Sequence, residues 1–340
     1  MQVAFNSGSA GATSLPVVLA SRALLAPMSG VTDIVTRRIA ARHGAGLVIS
    51  EMVASDEFVR GSEEARIRAE GAGISPHVVQ LAGCDPHWLG EAARLAEANG
   101  AAVVDINMGC PAKKVTGGWA GSALMRDLDH AVSLVEAAVA AVKVPVTVKM
   151  RLGWDDASRN APELARRAVA SGARLITVHG RTRQQFYKGV ADWAAIRAVR
   201  AAGAFPLVAN GDIRNADDAR RCLAQSGADL VMVGRAALGR PWLVGAIGAA
   251  LDGRAPSELS LAQKHAVARE HYEGLLSLMG KAQGVRHARK HLAAYADEAA
   301  LSGATPDAEA RRRLLTTDDP SQALAALAVL FSPACGRVAA

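Results

Sequence analysis

Short apolar runs recur along this chain, and each stops at a polar residue or at Gly or Pro. They fall at 24–28, 47–52, 78–81, 103–107, 146–150, 175–178, 207–209 and 230–233. Their length and β-branched content predict buried strands. Between them the apolar positions shift to helical spacing. Over 86–98, Leu89, Ala92, Ala93, Leu95 and Ala96 fall on one side. Segments 128–142 and 162–170 do the same. Asn215 fits an N-cap, with Asp217 and Asp218 in the first turn, where carboxylates meet the positive end of the helix dipole. Gly100, Gly172, Gly203 and Gly227 stand at C-cap positions. Eight strand-then-helix units over about 230 residues predict an α/β fold, the (β/α)8 TIM barrel. An open doubly wound sheet competes with it, but no G-x-G-x-x-G stretch follows the first run.

After residue 252 the rhythm changes. Residues 251–257 (LDGRAPS) form a linker, and from about Ser260 strand patterns vanish. Helical spacing runs over 261–279, 285–301, 307–315 and 322–331. The expected organisation is an N-terminal extension of low order over 1–20, a catalytic barrel over 21–252, and a small all-helical C-terminal domain over 258–340.

Composition narrows the class. Of 340 residues, 50% are hydrophobic and only 4% aromatic, so the core is built from Ala, Val, Leu and Ile. A net charge of +7 suits a polyanionic partner without requiring one. The cysteines, Cys84, Cys110, Cys222 and Cys335, form no C-x-x-C pair, so neither a metal site nor a disulfide framework is expected. Such usage fits a reducing cytoplasm. The first twenty residues lack a basic n-region, so no signal peptide is expected. Lys143 and Pro145 interrupt the best candidate for a membrane span.

Candidate chemistry follows from the barrel, whose active sites lie at the C-terminal ends of the strands. The runs end in Pro27-Met28-Ser29, in Gln80, in Asn107-Met108-Gly109-Cys110, in Lys149-Met150-Arg151, in His179-Gly180-Arg181, in Asn210-Gly211-Asp212 and in Gly234-Arg235. Singly, Lys149 reads as a solvated rim charge and His179 as a hydrogen-bonded core histidine. Together they converge on one mouth. Gly211 and Gly234 allow backbone N–H groups to approach an anion, and barrel phosphate sites are commonly built from these two loops. Arg235 adds charge there. Lys149 suits the polar part of a cofactor, and Pro27 and Met28 suit the face of a flat ring. These are the ingredients of an FMN site, although barrels that bind phosphorylated substrates share its phosphate half. An isolated Cys is usually a buried packing residue. Cys110 differs, because Pro111 stops its strand, Asn107 precedes it, and Lys113 and Lys114 follow in the loop.

The stretches 105–115 (DINMGCPAKKV), 26–28 (APM), 144–155 (VPVTVKMRLGWD), 179–183 (HGRTR), 210–213 (NGDI) and 234–242 (GRAALGRPW) resemble the tRNA-dihydrouridine synthase family. The likeness is strongest to its B-type bacterial branch. It extends over about 24–295 and includes 289–292 (RKHL) in the helical part. The resemblance implies FMN-dependent reduction of the C5=C6 bond of uridines in tRNA, in the D-loop and with position 17 as a candidate, fuelled by NADPH. It places the active-site cysteine at Cys110. It places flavin contacts at Pro27, Met28, Ser29, Gln80, Lys149, His179, Asn210, Gly211, Asp212, Gly234 and Arg235. Two departures stand out: Ala294 occupies a position where relatives commonly carry an aromatic, and relatives usually lack the long Ser/Gly stretch before Val17.

The chemistry implied is hydride delivery to C6 and proton delivery to C5. An ordinary thiol, with a pKa of roughly 8.5, is largely protonated at neutral pH and can donate. A nearby Lys113 or Lys149 would instead favour thiolate chemistry. Asn107 is expected to hydrogen-bond the flavin or the base, and Lys113 and Arg181 to face the RNA. The base must leave its stack to enter the mouth. Arg286, Arg289 and Lys290 share one helical face, with Arg286 and Lys290 as the expected phosphate contacts. A monomer is expected. Two other readings remain: an FMN barrel acting on a free pyrimidine, since such dehydrogenases carry the same Asn-x-x-Cys-Pro signature, and a non-catalytic RNA-binding barrel. Activity on free uracil would favour the first, and absence of bound flavin the second.

Overall fold

The structure, a computed structural model, describes residues 17–333. Most of the expected N-terminal extension, and Cys335, lie outside the described residues. Eight strands alternate with helices: β1 (Ala23–Leu25), β2 (Ile49–Ala54), β3 (Val78–Ala82), β4 (Val103–Met108), β5 (Val146–Arg151), β6 (Leu175–His179), β7 (Leu207–Asn210) and β8 (Leu230–Val233). All pair in parallel in sequence order, and β8 pairs with β1. A parallel bridge from Leu25 to Val48 joins β1 to the segment before β2, with Leu25 N–H donating to Leu47 O at 2.8 Å. The sheet is therefore closed, which rules out the open doubly wound alternative.

Alternation along each strand sets what fills the barrel. On β4, Val104, Ile106 and Met108 pack outward against the helices, while Val103, Asp105 and Asn107 point inward. The inward positions change character from one end to the other. They begin apolar, with Val78, Val103, Leu175, Val208 and Leu230 joined by Leu19 in one cluster. They end polar, in Gln80, Asn107, Lys149, His179 and Asn210. Leu19 is only 1% exposed, so the segment before β1 seals the N-terminal end of the barrel. Burying such a side chain is worth roughly 1.5–3 kcal/mol.

Helix ends follow the expected caps with one exception. Asn215 Oδ1 accepts from Asp218 N–H at 2.8 Å, and Gly100, Gly172 and Gly227 have left-handed backbone. Gly203 does not: the helix Arg197–Ala201 ends in right-handed Ala202. Past the barrel, a helical path Leu261–Leu301 breaks at Gly280, whose φ of 71° favours glycine. The helices Ala308–Thr316 and Pro320–Leu330 complete the C-terminal helical region. That region docks on the helix Ile34–Arg42 of the barrel, with Arg42 and Glu270 paired at 2.6 Å. Among the described residues no helix is long and apolar enough to cross a membrane.

Candidate active site

The polar ends of the strands open into one cleft of about 1960 Å³. Each of the expected cofactor residues lines it: Pro27, Met28, Ser29, Gln80, Lys149, His179, Asn210, Gly211, Asp212, Gly234 and Arg235. Cys110 and Asn107 line it too. The loop lysine that reaches the cleft is Lys114, not the expected Lys113, which is exposed on the first turn of the short helix Lys113–Thr116.

The loop carrying Cys110 is held by its backbone. Asn107 Oδ1 accepts from the N–H groups of Gly109 and Cys110 at 3.2 and 3.0 Å. Ser122 donates to Cys110 O from both Oγ and N, at 2.8 and 3.0 Å. Behind Asn107 a buried polar relay crosses three strands. Asn107 Nδ2 donates to Gln80 Oε1, and Gln80 Nε2 donates to Asp105 Oδ2, each at 2.7 Å. Thr147 Oγ1 donates to Asp105 Oδ1 at 2.5 Å. Burial pushes the Asp105 carboxyl up to about 6, against the pull of Gln80, Thr147 and Lys149. Sequence reasoning assigned Asn107 to the flavin or base. Its oxygen is instead committed to the Cys110 loop, and one amide hydrogen to Gln80.

A positive corner lies across the mouth. Lys149 Nζ donates to Asn210 Oδ1 at 3.2 Å, and Asn210 Nδ2 donates to Met232 O at 2.8 Å. Burial, reinforced by Arg151, pushes Lys149 down to about 8. Burial and then the cations Lys149, Arg151, Arg181 and Arg235 hold His179 well below the ordinary imidazole range, so it is neutral. Gly211 has a φ of 120°, and a Cβ there would lie 2.7 Å from the His179 ring. At Gly234 a Cβ would point beside Met28 Sδ, 3.8 Å away, toward the open cleft. Arg235 stacks over Tyr187 at 4.9 Å and reaches Asp212 at 3.3 Å.

Two expectations fail here. Arg181 does not face RNA. It is 1% exposed, and its guanidinium donates to both Asp212 oxygens at 3.0 and 2.6 Å, to Lys188 O at 3.0 Å and to Gly189 O at 2.7 Å. It shapes the wall of the cleft. The basic helical face is also narrower than expected. Arg289 is drawn to Asp318 at 2.7 Å. Lys290 leans toward the loop after β1, where a Cβ on Gly30 would meet its Nζ at 2.9 Å. Arg286 is exposed and, among the described residues, has no ion-pair partner.

Other residues at the site were not singled out from the sequence. Asp105 reads there as part of a motif, and only the alternation on β4 turns it inward. Arg151 ends β5 and ties the loops after β4 and β6 together: its Nε donates to Gly109 O at 2.8 Å, and its Nη1 to Thr182 O and Phe186 O at 2.8 and 2.9 Å. Tyr187 and Cys84 also line the cleft. A cation on the last inward position of a strand was the available signal for Arg151. Tyr187, within a loop, gave none.

Comparison with known proteins agrees with this geometry. The Dihydrouridine synthase (Dus) family model matches residues 24–333. A probable tRNA-dihydrouridine synthase of Rhizobium leguminosarum bv. phaseoli is 53% identical over 307 residues, covering 90% of this chain and 94% of that one. A tRNA-dihydrouridine synthase B of Xanthomonas axonopodis pv. citri (strain 306) is 47% identical over 285 residues, covering 83% and 86%. Among solved structures, a complex of 2-naphthoyl-CoA reductase superposes with a TM-score of 0.53 at 15% identity, over 70% of this chain and 51% of that one, a likeness of fold alone. With a closed barrel, a cysteine loop at its mouth and a family match over nearly its whole length, this chain belongs to the dihydrouridine synthase family.

Proposed function

We propose that the protein reduces the C5=C6 bond of uridines in tRNA to 5,6-dihydrouridine, using bound FMN and NADPH as reductant. The observation that supports this reading most is a single cleft shared by the Cys110 loop and a positive corner edged by glycines. The residues fit FMN. Arg235, Gly211 and Gly234 suit its phosphate, Lys149 and Asn210 its polar ring edge, and Ala26, Pro27 and Met28 its ring face. When bound and reduced, the flavin supplies the hydride for C6. The remaining work falls to the chain. Cys110 holds the proton that C5 requires, on a loop fixed by Asn107 and Ser122. Neutral His179 donates or accepts hydrogen bonds without adding charge. Arg151 and Arg181 hold the loops that keep water from the floor of the cleft.

The cofactor assignment is tested at Gly234. A Gly234→Val side chain meets little protein but occupies the space beside Met28. The variant should fold like wild type and be purified colourless, with flavin content below about a tenth of normal, since each 1.4 kcal/mol of lost binding is tenfold. Full flavin occupancy in that variant would remove Gly234 from the cofactor site.

Arg286 tests the RNA partner without disturbing the mouth. Arg286→Glu should weaken tRNA binding and lower the salt slope by about 1, as expected of one lost phosphate contact. Flavin reduction by NADPH should persist. Unchanged tRNA affinity across a salt series would place the RNA elsewhere. Dihydrouracil formed from free uracil at rates matching tRNA reduction would favour a free-pyrimidine enzyme.

A further inference from the structure

Cysteine spacing points away from a metal site in this chain, but its histidines do not. His287 and His291 stand one turn apart in the long helix, their rings 5.7 Å apart and nearly parallel. Opposite them is Asp33, the residue that caps the helix Ile34–Arg42 through Val35 and Thr36 N–H at 2.9 Å each. One ligand atom from each of the three lies within 4.8 Å of the others. Asp33 Oδ2 is 3.7 Å from His291 Nε2. Both His287 Nε2 and His291 Nε2 are buried without a hydrogen-bond partner, and His291 is 2% exposed. Native interiors rarely leave such atoms alone, and each needs an explanation.

We propose that Asp33, His287 and His291 form a binding site for one divalent transition-metal ion of the zinc class, which pins the helical region to the barrel. Two imidazoles and one carboxylate favour Zn²⁺, Co²⁺ or Ni²⁺ over Mg²⁺ or Ca²⁺. Ligand atoms around a tetrahedral zinc stand about 3.3 Å apart, given bonds of ~2.0–2.1 Å. The Asp33–His291 separation is close to that. His287, the least buried of the three, has the freedom to close the remainder.

The surroundings suit the ion. His291 is buried against the His271 ring, 4.5 Å away between centroids, and its unpartnered Nε2 lies 3.7 Å from Asp33 Oδ2. His271 braces the carboxylate from behind. Its Nε2 lies 3.4 Å from Asp33 Oδ2 and 3.1 Å from Thr36 Oγ1, while Nδ1 meets Tyr295 OH at 3.1 Å. Such outer partners orient ligands in known metal sites. The site is separate from the cleft and does not depend on the proposed reaction. It still touches the mouth indirectly, because Asp33 follows Thr32, whose Oγ1 accepts from Met28 N–H at 2.8 Å.

The test uses the full chain, stripped of metal by chelation and titrated with Zn²⁺ by calorimetry and with Co²⁺ by visible absorption. Wild type should take up one equivalent of Zn²⁺ with micromolar or tighter affinity. Its Co²⁺ form should show tetrahedral d–d bands without thiolate charge transfer, and Zn²⁺ should raise Tm. His287→Ala breaks no protein hydrogen bond, so it should stay folded, keep its flavin, lose at least about 100-fold in Zn²⁺ affinity and show no Tm response. Wild type that takes up no Zn²⁺ would overturn the proposal, leaving a buried water as the partner of the two nitrogens. Unchanged affinity in His287→Ala, or a thiolate band in the Co²⁺ spectrum, would overturn it equally.

Discussion

Cys110→Ala is expected to give a folded enzyme that binds flavin and tRNA normally and oxidises NADPH, but whose dihydrouridine formation falls by about 10²–10⁴, the usual worth of a placed general acid. The expectation rests on how the loop is built. Its geometry comes from Asn107 and Ser122 acting on the Cys110 backbone, so removing the thiol leaves the loop standing. The other described cysteines supply controls. Cys222 is buried, with its thiol pushed up to about 12 by burial, and lies in the helix Ala216–Ser226 away from the cleft. Cys84 is the sharper control, because it lines the same cleft. Cys84→Ala should leave turnover nearly unchanged. Single-turnover reoxidation of the reduced enzyme by tRNA, with dihydrouridine counted, separates the outcomes. Near-normal product from Cys110→Ala would mean that water or another side chain delivers the proton.

Asp212→Ala should cost about 3–5 kcal/mol of stability, the range for stranding one partner of a buried ion pair. Arg181 cannot reach solvent, and two of its hydrogen-bonded partners are the oxygens of Asp212. Asp212→Asn should cost less, since it keeps an acceptor and tolerates the left-handed φ of 54°. Burial opposes the Asp212 charge, but Arg181 and the Ala191 N–H outweigh it and hold the carboxyl below its ordinary range. A carboxylate depressed in the folded state contributes stability above its unfolded pKa and loses it as pH falls through the folded one. The gap between wild type and Asp212→Ala should therefore be full at pH 7 and shrink below about pH 4. Denaturant midpoints across pH would measure it. A midpoint for Asp212→Ala that matches wild type at pH 7 would show that the Arg181 carbonyl partners suffice.

Much of this was legible in the sequence. The eight strands are visible because inward and outward residues are both apolar near the strand starts, which leaves continuous runs. The cofactor side of the cleft is visible because a polar inward residue near the end of each strand from β3 to β7 breaks its run. Long side chains are another matter. Arg181 follows β6, and spacing cannot say whether it turns to solvent or back to Asp212 on the next strand's loop. The basic helical face was overcounted for the same reason, because Asp318 approaches Arg289 only in three dimensions. Gly203 sits where a cap is common, yet the helix Arg197–Ala201 closes one residue earlier, on right-handed Ala202, whose N–H donates to Val199 O at 3.2 Å. Asp33 and His291 are far apart in the chain, and no local pattern relates them.

Leu19 seals the end of the barrel opposite the cleft, so the chain enters the described fold from the closed pole. This gives the molecule a built-in handle. A biotin or affinity tag placed ahead of residue 17 would tether the protein by its sealed base and present its mouth to the solution. RNA flowed over such a sensor surface would meet the cleft from the side away from the tether, whereas random lysine coupling would also attach molecules through Lys114, which lines the opening, and Lys290 near it.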